Sequence, residues 1–435
     1  ACALSQEAMI NIPGRTSFSL NGKWNYIVDP YENGYYDYRY EPFDKNENPT
    51  GGYFLDKKPA SKSDLVEYDF DLMPALMVPG DWNSQDDKLF YYEGTVWYRK
   101  LFEYTRKDAA NRVFLCFGGA NYETDVYLNG RKLGKHIGGF TPFNFEISSI
   151  LKEGRNSVVV KVDNKRRRDG VPTLNTDWFN YGGLTRDVCI VEVPGTFISD
   201  YFIQLAKGRQ DLISGYVKLN GQKTSQKIRI EIPELKIAAE IATDTNGTAS
   251  IEIPVKKLER WSTANPKLYQ VNISSGSDAI SEKIGFRNIE TRGTDIMLNG
   301  ESVFLRGICI HEENPMRGGR AYSVEDARML LGWARELGCN YVRLAHYPHN
   351  ENMARVADEM GILVWEENPV YWTILWDNPA TLGNPDLNLG EKLLNAFFQS
   401  TTLRTAGFAS LDQAKLTDSS KLVSVFLMFI GASPA

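Results

Sequence analysis

Histidine and cysteine are both scarce in this 435-residue chain, four and five in number. The cysteines (Cys2, Cys116, Cys189, Cys309, Cys339) are scattered and include no Cys-x-x-Cys pair, which argues against a zinc ribbon or a disulfide scaffold. No run of 18 or more apolar residues occurs to span a bilayer as a helix. No Gly-x-Gly-x-x-Gly follows a strand pattern, and no His-Glu-x-x-His or other ligand spacing marks a metal site. Positive charge is also lacking: a net charge of −6 gives no footprint for nucleic acid. The one basic cluster, Lys165 to Arg168, runs into Asp169 and reads as a solvated loop.

What is present belongs to a folded protein of several domains. Hydrophobic residues are 42%, charged residues 24% and aromatics 12%, and the length accommodates roughly two to four domains. The opening Ala1-Cys2-Ala3-Leu4-Ser5 reads like the end of a processed export signal, with lipidation of Cys2 or an expression scar as alternatives, so a periplasmic or cell-surface location is expected.

Asn-Gly, the strongest short hairpin signal, occurs at Asn21, Asn129, Asn220, Asn246 and Asn299, flanked by apolar-polar alternation. The first 300 residues are therefore expected to be antiparallel β: a large sandwich over 1–195, closed by Pro194-Gly195, then a small immunoglobulin-like sandwich over 196–287 with seven or so strands. After Asn299-Gly300 the pattern changes. Val303 to Ile310 reads as a buried strand, and Ser323 to Asp326 as a capping box. Ala327, Leu330, Leu331, Ala334 and Leu337 follow at helical spacing up to Gly338. A strand at Tyr341 to Ala345, a helix at Glu351 to Met360 and a strand at Ile362 to Glu366 complete βαβαβ, the opening of a (β/α)8 TIM barrel over 288–386.

Barrel chemistry sits where strands end. These ends carry His311-Glu312-Glu313-Asn314, His346-Tyr347-Pro348-His349 and Trp365-Glu366-Glu367-Asn368, a mixture of directional hydrogen-bonding groups and aromatic surface that suits a polyol. For Glu312, Glu313 and Asn314 a plain hydrogen-bonded loop residue is the competing reading.

The ordered series Gly285-Phe286-Arg287, Leu298-Asn299-Gly300, Leu305-Arg306-Gly307, His311-Glu312, Val342-Arg343, His346-Tyr347-Pro348, Asp358-Glu359-x-Gly361 and Trp365-Glu366-Glu367 resembles glycoside hydrolase family 2, the β-galactosidases, β-glucuronidases and β-mannosidases. Upstream, Val78-Pro79-Gly80-Asp81-Trp82-Asn83, Gly94-x-x-Trp97-Tyr98-Arg99, Val126 to Gly130 and Asp177-Trp178-Phe179-Asn180-Tyr181-Gly182-Gly183-Leu184-x-Arg186-Asp187 resemble that family's jelly-roll sugar-binding domain. The resemblance covers residues 8–385 and implies jelly roll, immunoglobulin-like sandwich and a TIM barrel cut short. It implies substrate contacts for Asp177, His311 and His346, and supporting roles for Glu312, Arg343 and Glu367. The implied partner is a β-linked oligosaccharide or glycoside, with no nucleic acid, and the parent protein is expected to form homo-oligomers. No organic cofactor is implied; relatives that hold magnesium or sodium do so with ligands this chain does not contain. A non-catalytic carbohydrate-binding protein is the alternative reading.

A retaining glycosidase needs two carboxyl groups about 5 to 5.5 Å apart. In the family these are glutamates on the fourth and seventh strands, and the expectation here is a hydrolase truncated before both. Residues 389–435, through Phe397-Phe398-Gln399-Ser400-Thr401-Thr402-Leu403-Arg404-Thr405-Ala406-Gly407-Phe408 and Leu427 to Ala435, instead resemble a pore loop and the following helix start of a Trk/Ktr-type potassium transporter. One such loop is too little for a filter, so 387–435 is expected to be an unrelated tail, joined near 384–390 by gene fusion or assembly error.

Overall fold

A computed structural model describes residues 8–368 apart from 65, 67, 169, 171, 172 and 223. Cys2, the barrel segment after residue 368 and the transporter-like tail lie outside the described residues.

The first domain is a β-sandwich. A six-stranded antiparallel sheet runs in the order Ala75–Val78, Gly22–Val28, Thr95–Tyr104, Gly154–Asp163, Glu123–Leu128 and Arg131–Ile137. It faces a four-stranded sheet of Ser17–Ser19, Val188–Val193, Arg112–Phe117 and Phe143–Glu146. Between them Trp24, Tyr98, Val126, Leu128, Val158 and Val160 pack against Val113, Leu115, Phe117, Phe143 and Ile190. Alternation along a strand sends neighbours to opposite faces. Val159, Trp97 and Tyr127 accordingly point away from this core, and a second cluster covers them with Tyr35, Phe54 and Phe70 from the long excursion between strands. Burial on both faces is why Val158-Val159-Val160 reads as a continuous apolar run.

The second sandwich pairs Phe197–Leu205, Leu212–Asn220 and Thr248–Pro254 in one sheet, and Ile237–Ala242, Lys227–Ile232, Tyr269–Ser275 and Asp278–Ile284 in the other. Its core is mostly isoleucine and valine. A three-stranded meander over Ile289–Arg292, Asp295–Leu298 and Glu301–Ser302 leads into the barrel segment. There Gly307–Ile310, Tyr341–Leu344 and Leu363–Glu366 form a parallel sheet. The helices Val324–Glu336 and Glu351–Met360 lie on it, burying Leu330, Leu331, Ala334, Met353, Val356 and Ala357 against Ile310, Val342 and Leu344.

Three expectations need correction. Only Asn129-Gly130 and Asn299-Gly300 have positive φ at both residues and join adjacent antiparallel strands. The turns at Asn21, Asn220 and Asn246 carry the chain between the two sheets of a sandwich, where φ > 0 is needed at the glycine alone. The buried strand expected from Val303 begins only at Gly307, and Phe304 is exposed. Leu337 is exposed as well, because it caps its helix at the C-terminal end rather than facing the sheet. The basic cluster is paired locally: Lys165 faces Glu32 (3.5 Å), Arg166 faces Glu93 (2.8 Å) and Arg167 faces Glu123 (2.9 Å).

Gly130 sits at φ 78° in its hairpin, a left-handed conformation that costs a side-chain-bearing residue about 1–2 kcal/mol. Gly130→Val is expected to lower stability by about that amount in urea unfolding followed by tryptophan fluorescence. Gly195→Ala, with no atom within 4 Å of the added carbon, should stay within about 0.5 kcal/mol of the parent. Coincident curves for the parent and Gly130→Val would contradict the turn geometry.

Candidate functional site

The three barrel strands are parallel, so their C-terminal ends share one edge; His311 and Glu367 follow their strands directly, and His346 stands two residues past the end of its own. A jelly-roll loop containing Asp177 and Trp178 crosses over this edge. Phe140, Trp178 and Tyr347 pack together where the two domains meet, with the Phe140 and Tyr347 rings stacked at 4.1 Å.

Beneath that contact lies a buried ion cluster. Glu312 has no solvent exposure. Arg186 Nη2, from the jelly roll, donates to both of its oxygens at 3.1 Å, and Arg320 Nη2, from the barrel, donates to Oε2 at 2.5 Å. The Asn350 backbone N–H also donates to Glu312. Burial alone would push this carboxyl up, but the Arg186 and Arg320 guanidiniums outweigh it and hold it below the usual carboxylate range. Arg186 reaches further, donating to the carbonyls of Phe140 (2.8 Å) and Pro348 (2.6 Å). A second stitch runs through Asp81, whose Oδ2 accepts from the Arg320 N–H at 3.0 Å. Gly319, at φ 76°, is needed there: a Cβ would lie 2.4 Å from that same Asp81 oxygen.

Above the cluster the histidines converge. His346 Nδ1 is 3.1 Å from Glu367 Oε2, and Arg343 Nε donates to Glu367 Oε1 at 2.5 Å. Arg343 Nη2 also lies 3.1 Å from His346 Nδ1, so Glu367 and Arg343 together hold that edge of the ring, and Nε2 faces the jelly-roll loop, where Asp177 Oδ2 lies 3.7 Å away. Asp177 itself is half exposed, so this carboxylate borders open solvent. The His311 ring meets the His346 ring edge-on at 5.3 Å. Burial, followed by the neighbouring His346, lowers the His311 pKa, favouring a neutral ring that can donate from one nitrogen and accept at the other.

Six residues were singled out from the sequence, and the structure brings them together as two layers. Asp177, His311 and His346 face one space; Glu312, Arg343 and Glu367 lie behind them. Asn314 is a loop residue, donating to Asp326 (2.6 Å) and accepting from the Met316 N–H (2.9 Å). Glu366 and Glu367 diverge as adjacent strand-end residues do: Glu366 accepts from the His349 N–H at 2.7 Å, on the opposite side from Arg343. Sequence reasoning gives Arg186, Arg320 and Asp81 no part in the site. Arg186 and Asp81 stood inside quoted motifs, which was the available signal; nothing local marks Arg320. Among the described residues, no three of His, Cys, Asp and Glu converge as a metal ion would require.

Comparison with known proteins gives one consistent result for residues 17–392. Residues 17–194 match the family described as "Glycosyl hydrolases family 2, sugar binding domain", residues 196–287 match "Glycosyl hydrolases family 2", and residues 289–392 match "Glycosyl hydrolases family 2, TIM barrel domain". Residues 379–435 match "Cation transport protein". A putative beta-glucuronidase of Formosa agariphila is 30% identical over 68% of this chain and 38% of its own length. A beta-galactosidase of Thermoanaerobacter pseudethanolicus is 29% identical over 77% of this chain and 48% of its own length. The chain thus spans less than half the length of these curated relatives. Among solved structures, Bifidobacterium dentium beta-glucuronidase complexed with coumarin-3-O-glucuronide aligns with TM-score 0.71 at 25% identity, over 95% of this chain and 68% of that one. Ruminococcus gnavus beta-glucuronidase aligns with TM-score 0.70 at 26% identity, over 92% and 65%.

Two outcomes follow from the buried groups. Glu312→Ala leaves two buried guanidiniums without their carboxylate and is expected to cost about 3–5 kcal/mol in denaturant unfolding; a loss under about 1 kcal/mol would show the cluster to be incidental. His349, buried with Nε2 donating to the Ala345 carbonyl at 3.0 Å, is lowered by burial to about 4. Between that value and an unfolded pKa of roughly 6.5, the unfolded chain holds the extra proton. The stability from this neutral ring is therefore present above the unfolded pKa and lost as pH falls from about 6.5 toward 4, by on the order of 3 kcal/mol. His349→Phe should make the acid-side decline in melting temperature shallower, and an unchanged slope would refute the assignment.

Proposed function

The chain belongs to glycosyl hydrolase family 2, and from that premise we propose that residues 8–368 form the sugar-recognition wall of an exo-acting β-glycosidase of the β-glucuronidase or β-galactosidase type. The observation that carries this reading is the approach of Asp177 to His346, 3.7 Å apart although they belong to different domains. A half-exposed carboxylate can accept two hydroxyl protons, and an imidazole nitrogen can hydrogen-bond to another hydroxyl. Vicinal hydroxyls of a pyranose present that alternation of donors and acceptors. His311, edge-on to His346, adds a third directional group. In this reading Asp177, His311 and His346 contact the terminal sugar. Glu367 fixes the His346 ring through Nδ1, Arg343 fixes Glu367 through a two-pronged contact, and Glu312 fixes the domain that presents Asp177.

Hydrolysis with retention asks for an acid/base and a nucleophile across the scissile bond, about 5 to 5.5 Å apart. Glu367 is bound to Arg343 and His346, Glu312 to two arginines, and Glu366 is turned to the far side of its strand end. None is placed to act as either group. We infer that the chain as given binds a terminal sugar without cleaving the bond beyond it, the chemistry requiring carboxylates from later barrel strands.

Two measurements test this. Calorimetric titration of the chain with galactose and with glucuronate should detect saturable binding to one of them, weakened about tenfold or more by Asp177→Ala, the scale of a hydrogen bond to a charged group. Affinity untouched by that substitution, or no binding of either sugar, would remove Asp177 from the pocket. Aryl β-glucuronide and aryl β-galactoside should be released no faster than in buffer, and turnover that survives repurification would overturn the inference of inactivity.

A further inference from the structure

Phe90 and Tyr91 project from a jelly-roll turn into solvent, 46% and 85% exposed, and the sandwich core uses neither ring. The turn is nevertheless tightly held. Asn83 is buried, and its Nδ2 donates to the carbonyls of Leu89 (3.0 Å), Phe90 (3.1 Å) and Tyr92 (3.2 Å). Its Oδ1 accepts from the Gly182 N–H at 2.9 Å. One side-chain amide thus clamps the aromatic turn to the loop that carries Asp177. The outer edge is held by Arg166, which donates to Glu93 at 2.8 Å and to the Leu174 carbonyl at 3.4 Å.

The rings form a continuous row. Tyr91 meets Phe90 edge-on at 4.7 Å, and Phe90 meets Phe179 at 5.5 Å. Trp178, the residue before Phe179, lies 6.1 Å from His346. Phe179 follows Trp178 in the chain, so the row of Phe179, Phe90 and Tyr91 belongs to the loop that borders the pocket, and it ends in open solvent at Tyr91.

We propose that Phe90, Tyr91 and Phe179 form a ledge that stacks the second sugar ring of a β-linked oligosaccharide whose terminal ring sits against Asp177 and His346. The proposal rests on the reading of the pocket given above. The axial hydrogens of a β-linked pyranose make one face apolar, so it covers an aromatic ring while its equatorial hydroxyls stay in water. A turn whose backbone is already fixed by Asn83 loses little conformational freedom on binding. A free monosaccharide in the pocket does not reach the ledge, which makes the affinity ratio of disaccharide to monosaccharide the quantity to read.

The test is calorimetric titration of the full chain with galactose and glucuronate and with β-linked disaccharides that carry each as the terminal residue. The expected ratio is about five- to tenfold in favour of the disaccharide, the scale of one or two aromatic contacts. In the doubly substituted Phe90→Ala, Tyr91→Ala protein it should fall to about one. Phe90→Tyr with Tyr91→Trp keeps the rings, and should keep the ratio. A ratio of one in the parent, or an unchanged ratio in the alanine protein, overturns the ledge. Absence of binding by every sugar in the parent overturns the pocket reading and the ledge with it, whereas monosaccharide binding with a ratio of one overturns the ledge alone.

Discussion

Two guanidiniums around one fully buried carboxylate hold the candidate site in shape. Arg186 comes from the jelly roll, Glu312 and Arg320 from the barrel, so the ion cluster is also the joint between domains. The second guanidinium is offset in part by the buried Asp81 carboxylate, which accepts from the Arg320 N–H. The Arg320 guanidinium lies over the rings of Phe140 and Tyr347, at 4.8 and 5.1 Å from their centroids, and Arg186 turns two donors onto backbone carbonyls. Apolar packing alone would not fix the joint, since its aromatic cluster comprises only Phe140, Trp178 and Tyr347. The hydrophobic effect is non-directional. The ion cluster supplies the direction, and with it the placing of Asp177 over His346.

The cluster in turn depends on local helix chemistry. Asp326 closes the capping box with Ser323, but the same carboxylate accepts from the Tyr322 N–H (2.9 Å), the Asn314 side chain (2.6 Å) and Arg317 (2.5 Å). A helix N-terminus favours an anion, and here that anion is used to organise the loop between the first barrel strand and the first helix. Glu312 and Arg320 lie at the two ends of that loop. A short polar helix signal, Ser323 to Asp326, thus sets the position of a buried carboxylate a turn of loop away and, through it, the docking of the jelly roll.

Most of the fold class was legible in the sequence because its signals are local. The Ser323 cap, Gly338 and Gly361 bound the two helices, and alternation in Thr248–Pro254 marks a half-buried strand. The failures share a cause. An Asn-Gly pair reports that the chain turns, not whether the next strand pairs in the same sheet or crosses to the opposite one, and three of the five cross. Val303 to Leu305 is apolar enough for a strand, but strand formation there requires a partner, and the parallel ladder begins at the Gly307–Tyr341 pair. Arg320, preceded by two glycines, carries no periodic or capping signal; its burial comes from Glu312 and from Asp81, which stands 239 residues earlier.

Recognition and bond cleavage are physically separable in this arrangement. Recognition needs polar groups that hold still while a sugar docks, and two of the three pocket residues are braced from behind: His346 by Glu367, itself held by Arg343, and the Asp177 loop by Arg186 and Asn83. Cleavage needs carboxyl groups left uncommitted, able to give up or take a proton in the transition state. A glutamate already bound by a guanidinium has its oxygens engaged and its geometry fixed, which suits a brace. The buried carboxylates of the described barrel segment that carry these contacts, Glu312 and Glu367, have been used as braces. On the proposed reading they are part of the reason the wall is rigid, and the cleavage falls to other carboxylates.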